Sequence, residues 1–155
     1  MQAFTTAQAY IILADNKTLP EERAELVTLL GKHVSKHELS PPQIQRLTAD
    51  AFAYVAANDF EKFLISIEAS LTPAQIICIF CNMYETMLID GLMIAKEKEL
   101  IEQFCRFFHM DRRVVNTVRE ILFLKNDTSM FLRSDHPNNS RDFKLSFLDR
   151  MDAES

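Results

Sequence analysis

Residues 11–22 read Ile-Ile-Leu-Ala-Asp-Asn-Lys-Thr-Leu-Pro-Glu-Glu and contain the clearest structural signal in the chain. A helical apolar run ends there in a polar turn, and a proline followed by two acids then begins a new helix. A shift of 75 residues finds a related stretch at residues 86–97, with Asp90-Gly91 in the place of the first turn. The chain therefore contains one helix-turn-helix unit twice.

Apolar periodicity predicts about seven helices over the whole chain. Only two glycines and five prolines occur in 155 residues, and 48% of the residues are hydrophobic, which favours helices packed around one core. We predict an all-α fold, a compact single-domain bundle. The fifth predicted helix, which starts at Thr72-Pro73, is apolar on nearly all sides, so we expect it to be the most buried element. The predicted domain covers residues 1–125, and residues 126–155 form a C-terminal loop with room for one short helix.

The repeated stretches resemble a known family. Residues 13–22 are similar to the Ala-Asp-Gly turn and Pro-x-Glu helix start that open domains of the TerB-like tellurite-resistance family, and residues 87–97 resemble the second copy of that motif. The resemblance covers about residues 3–125, and it departs from the family pattern at Asn16, where the family favours Gly, and at Ile89, where it favours Ala. It implies a bundle of about seven helices in a bacterial cytosolic protein with a role in tellurite resistance and chemical stress.

Four acids recur at equivalent places in the two copies, namely Asp15, Glu22, Asp90 and Glu97. If the copies pack around a pseudo-two-fold axis, these carboxylates converge, and a hard divalent cation such as Ca²⁺, Mg²⁺ or Mn²⁺ would relieve their mutual repulsion. The resemblance also implies cation binding at these acids. An alternative is that each Asp bonds backbone amides of its turn and each Glu complements a helix dipole. Catalysis by the acids is a third possibility.

Two further patterns suggest metal or redox chemistry. Cys78 and Cys81 form a C-x-x-C, but the chain has no second cysteine pair for a zinc ribbon and no thioredoxin-like context, so we interpret both as buried small hydrophobes. His33 and His37 have the spacing of zinc-binding helices but lack the accompanying Glu, which favours ordinary, partly exposed histidines. We therefore expect neither pair to form a site.

The net charge of -5 and the absence of a basic stripe argue against a nucleic-acid partner. No segment approaches the roughly twenty apolar residues that cross a bilayer, and no signal peptide precedes the first helix, so we expect a cytoplasmic protein. No Gly-rich phosphate loop or nucleophile-base motif is present.

Our functional hypothesis is a non-enzymatic, TerB-like stress-response module that binds a cation or a protein partner through its acidic surface and that can form homo-oligomers. The first alternative is a metal-independent scaffold that binds proteins through an apolar groove. The second is a metal-dependent hydrolase whose carboxylates bind the metal and act as the base.

Overall fold

The computed structural model describes residues 1–14, 19–33, 38–89, 94–148 and 150. Within these ranges the chain forms helices and no strand, which confirms the predicted all-α class. The α-helices are α1 (Gln2–Leu13), α2 (Leu19–His33), α3 (Pro41–Ala57), α4 (Phe60–Ile67), α5 (Pro73–Ile89), α6 (Ala95–Phe107), α7 (Arg112–Asn126) and α8 (Ser129–Leu132), with 3-10 turns at Glu68–Ser70 and Pro137–Asn139. None of the helices in the described ranges is both long enough and apolar enough to span a bilayer.

Polar side chains at the predicted helix starts provide the caps. Asp59 accepts the backbone N–H of Lys62 at 2.8 Å and begins α4. Thr72 and Gln75 exchange side-chain and backbone hydrogen bonds of 3.2 and 2.9 Å at the start of α5. These bonds satisfy N–H groups that a helix leaves without an internal partner, which explains why the helix starts could be predicted.

Helix α1 is the most deeply buried helix in the described part of the chain, and it packs against α2, α3, α5 and α6. Most of its residues are buried, including small and polar ones, namely Thr5, Thr6, Ala7, Gln8, Ala9, Tyr10, Ile11 and Ile12. The prediction that the fifth helix would be the most buried is therefore wrong. In α5 burial begins only at Ile79, and Ile77 is 39% exposed. The prediction used apolarity alone. Close packing around α1 also requires small side chains, so small residues are buried there as well as apolar ones.

The first three helices share a core cluster, formed by Ala9, Ile12, Leu26, Ala51 and Phe52. The two alanines are at most 1% exposed. Removing such apolar surface from water is the main stabilising contribution to a helical fold of this kind. The cluster fixes α1 against α2 and α3.

Tyr10 joins α1 to the start of α4. Its hydroxyl donates to the carbonyl oxygens of Asn58 at 2.8 Å and Asp59 at 3.1 Å, and its ring lies 5.0 Å from the ring of Phe60 and 5.4 Å from that of Phe63. Burial, with smaller contributions from the charges of Tyr54 and Asp59, raises the pKa of Tyr10 to about 12. The fold therefore favours the neutral phenol.

This raised pKa predicts a loss of stability in alkali. The stabilisation by the neutral phenol is complete below the ordinary tyrosine pKa of 10.0 and is lost as the pH rises through about 12. We expect the free energy of unfolding, measured in urea across that range, to fall less steeply in a Tyr10→Phe variant than in the wild type. The variant should also lose about 1 kcal/mol at neutral pH, because its hydrogen bonds are missing. Identical pH profiles for both proteins would contradict this assignment.

Backbone contacts divide the chain into two units, Met1–Phe108 and His109–Ser155. His109, where the second unit begins, has a φ of 50°, the left-handed backbone conformation that commonly terminates a helix. Within the second unit, the Ser146 N–H donates to Glu120 of α7 at 3.0 Å, and residues 146–148 are helical, near the short helix predicted in this tail. Helix α8 was not predicted, and its Phe131 and Leu132 are 89% and 83% exposed.

Candidate functional site

Two of the four predicted acids, Glu22 and Glu97, lie in the described residues. Each belongs to the first turns of the second helix of its repeat unit, Glu22 in α2 and Glu97 in α6. They are only 3% and 2% exposed. Glutamates are seldom buried to this extent unless they have a partner, because an ionised carboxylate loses its hydration. The repeat therefore places two buried acids at equivalent positions.

Glu97 is hydrogen-bonded to the start of its own helix. One carboxylate oxygen accepts the backbone N–H of Ile94 at 3.2 Å. Ile94 has no polar side chain with which to return that bond, so only half of a reciprocal capping pair is present. The bond supports the alternative in which these glutamates cap helices, and it occupies part of the hydrogen-bonding capacity of Glu97.

A buried glutamine links the first helices of the two repeat units. Gln8 of α1 is fully buried, its amide donates to the carbonyl of Ile79 at 3.5 Å, and its oxygen accepts from the Thr86 hydroxyl at 3.4 Å. The shift of 75 residues makes Met83 the equivalent of Gln8, and Met83 lies between these two partners in α5. Helices α1 and α5 thus meet close to equivalent residues, as expected for helices related by a pseudo-two-fold axis.

Gln8 and Thr86 were not identified from the sequence. A single glutamine in an apolar helix carries no local signal of burial, because glutamines are mostly exposed. The repeat offered one sign, since the equivalent position holds the apolar Met83. A polar residue that replaces an apolar core residue in one copy of a repeat is a candidate for a buried hydrogen bond.

The other two predicted acids and the two spaced histidines lie wholly or partly outside the described ranges. This applies to Asp15 and Asp90, to His37, and to the side chain of His33. Among the described residues, no group of three or more His, Cys, Asp or Glu side chains is placed to hold a metal ion. Convergence of all four acids therefore stays a prediction, which rests on the burial of Glu22 and Glu97 and on the contact of α1 with α5.

Cys78 and Cys81 are less buried than predicted. Cys78 is exposed, and Cys81 and Cys105 are only partly buried. The prediction failed because the first two turns of α5 carry apolar residues on a face that the described part of the bundle leaves largely uncovered, as at Ile77. Apolar residues alone do not specify which part of a helix another element covers.

The family model described as "Tellurite resistance protein TerB" matches residues 1–120. This range includes both copies of the repeated motif and extends from α1 into α7. No curated protein and no solved structure gave a match. The family match agrees with the resemblance found in the two motif copies.

Proposed function

The chain belongs to the TerB family of tellurite resistance proteins, and from this premise we propose that it is a non-enzymatic stress-response module that binds a divalent cation. The proposed ligands are Asp15 and Glu22 from the first repeat unit and Asp90 and Glu97 from the second. The proposed ion is Ca²⁺, Mg²⁺ or Mn²⁺, because these ions prefer carboxylate oxygen. In this proposal the protein resides in the bacterial cytoplasm.

The observation that carries the proposal is the burial of Glu22 and Glu97, at 3% and 2% exposure. A glutamate that only interacted with the helix dipole could stay in water and still stabilise the helix. A buried carboxylate instead needs a hydrogen-bond donor or a cation to offset its lost hydration. That the same acid is buried in both repeat units supports a shared requirement for such a partner.

The contact between α1 and α5 supports convergence of the two repeat units. Leu13 and Leu88 each lie five residues beyond the equivalent positions 8 and 83, where the helices meet. With a rise of about 1.5 Å per residue and axes about 10 Å apart, the two helix ends are separated by roughly 10 Å if parallel and 18 Å if antiparallel. The ends of α1 and α5 therefore lie in the same region of the fold, which supports the proposed convergence.

Cation binding is tested by equilibrium dialysis of the purified chain against Ca²⁺, Mg²⁺ and Mn²⁺. We expect the wild type to bind at least one of these ions stoichiometrically. A Glu22→Gln/Glu97→Gln variant should bind it at least about tenfold more weakly, because the loss of even an outer-shell partner weakens a metal site by that factor. The matched control is Glu21→Gln/Glu99→Gln, which removes the same charge from exposed positions on the same two helices.

Four outcomes are distinguishable when circular dichroism confirms that both variants are folded. Weakened binding in the Glu22/Glu97 variant alone supports the proposed ligands. Equal weakening in both variants would indicate a diffuse effect of surface charge and contradict the site. Stoichiometric binding that neither variant changes would exclude these two glutamates, and the absence of any binding would exclude the function.

A second candidate function is protein binding through an apolar surface, with a different protein or a second copy of the chain as the partner. The observation that favours it is the exposure of Phe131 and Leu132 on α8, at 89% and 83%. Exposed neighbouring apolar side chains are frequent at interaction sites. Failure of every cation to bind the folded wild type would favour this candidate over the first.

A further inference from the structure

Cys78 and Cys81 form a pair of accessible thiols on α5. They lie three residues apart in one continuous helix, so their side chains project from the same face with Cβ atoms roughly 5–6 Å apart. Cys78 is exposed and Cys81 is partly buried, and both are free thiols. A small reagent can therefore reach the pair from solvent.

The two thiols lie close enough for the charge of one to affect the ionisation of the other. Burial raises the pKa of the Cys81 thiol, and the charge of Cys78 is the next largest cause. The Asn82 side chain donates to the Cys78 carbonyl at 2.9 Å and contacts its Sγ at 3.7 Å, which holds one side of the pair in place. Two thiolates so close together repel each other, and a single electrophilic centre bound to both would remove that repulsion.

The coordination number restricts the chemistry of the ligand. Among the described residues no third His, Cys, Asp or Glu side chain joins the cysteines in a metal-binding group, whereas structural zinc takes four protein ligands. A centre satisfied by two sulfur atoms fits better. Ile77, one turn before Cys81 and 39% exposed, offers an apolar contact for an organic substituent on that centre.

We propose that Cys78 and Cys81 form a chelating dithiol site for a trivalent metalloid, of the class represented by organic arsenic(III) oxides. Binding is a ligand exchange without oxidation or reduction. Both S–H bonds and the arsenic–oxygen bonds break, two arsenic–sulfur bonds form, and the two thiol protons leave with the oxygen as one molecule of water. The site is separate from the repeated acids and does not depend on a cation there.

The proposal is tested with phenylarsine oxide, added to the reduced chain and followed by intact-protein mass spectrometry. We expect one phenylarsenic group per chain, retained in an excess of 2-mercaptoethanol and removed by a small dithiol. Either Cys78→Ser or Cys81→Ser should weaken binding by about a hundredfold or more, because the second bond of a chelate forms at a high effective concentration. Cys105→Ser is the matched control and should bind like the wild type.

The contradicting results are equally specific. Retention of the arsenical by the Cys78→Ser variant, or its loss from the Cys105→Ser variant, would assign binding to other thiols and overturn the proposal. Loss of the group from the wild type in 2-mercaptoethanol would show that no chelate forms. All three variants are checked by urea unfolding, and we expect small effects because Cys78 is exposed and the other two positions are partly so.

Discussion

The Gln8→Glu substitution is expected to lower the free energy of unfolding by about 3–5 kcal/mol near pH 7, because it leaves a buried charge without a compensating partner. Gln8 is 0% exposed, and its neighbours in α5 are the Ile79 carbonyl and the Thr86 hydroxyl. A carboxylate at this position could still accept a hydrogen bond from the Thr86 hydroxyl. It has no proton to donate to the Ile79 carbonyl. Urea unfolding monitored by circular dichroism measures the effect.

Acid should rescue this variant. Burial raises the pKa of such a carboxyl, so the native state is favoured below the ordinary glutamate pKa of about 4.3 and loses this advantage as the pH rises. The difference from the wild type should therefore shrink toward low pH. Gln8→Met, which copies the residue at position 83, is the control, and we expect it to cost less than about 1.5 kcal/mol. A pH-independent loss in Gln8→Glu, or an equal loss in Gln8→Met, would contradict the role given to this hydrogen-bonded contact.

The Phe80→Ala substitution is expected to cost about 3–5 kcal/mol, as for other large aromatic residues truncated in a core. Phe80 is 0% exposed, and its ring lies 6.0 Å from that of Tyr84 on the next turn of α5. Truncation removes buried apolar surface and leaves a cavity. Thermal and urea unfolding both report this loss.

Phe131→Ala is the matched control, since it makes the same chemical change at a side chain that is 89% exposed. We expect its free energy of unfolding to stay within about 0.5 kcal/mol of the wild type. A large loss in Phe131→Ala, or a small one in Phe80→Ala, would mean that the burial assigned to these two phenylalanines is wrong.

The helices were largely predictable because their signals are local. Thr72 and Pro73 begin α5, and Asp59 begins α4, by hydrogen bonds and backbone restrictions that involve only a few neighbouring residues. The apolar side of α4, with Phe60 and Phe63, was also evident from its spacing. Such features need no knowledge of the rest of the fold.

Burial was less predictable because it depends on which elements meet. Thr5 and Gln8 are fully buried although neither is apolar, while Cys78 is exposed on a helix that is apolar nearly all round. The difference arises from the position of α1 among four other helices. Periodicity within one helix contains no information about how many neighbours will cover each side.

The candidate site was predictable only in part, and through the repeat. The shift of 75 residues selected Glu22 and Glu97 as equivalent, and both are buried. The repeat could not predict how far apart the two repeat units lie, because packing between α1 and α5 sets that separation. Gln8 takes part in this packing, and its role was not identified from the sequence. Asp15 and Asp90 are the residues on which the cation proposal now depends.

The most direct test of the cation proposal is thermal unfolding of the wild type and of an Asp15→Asn/Asp90→Asn variant, each with and without millimolar Ca²⁺, Mg²⁺ or Mn²⁺. An ion present at a hundredfold excess over its Kd stabilises the native state by about 2.7 kcal/mol, which corresponds to a rise of about 5–10 °C in Tm for a chain of this size. The proposal predicts such a rise for at least one ion in the wild type and its absence in the variant. No rise with any ion, or an equal rise in both proteins, would contradict it.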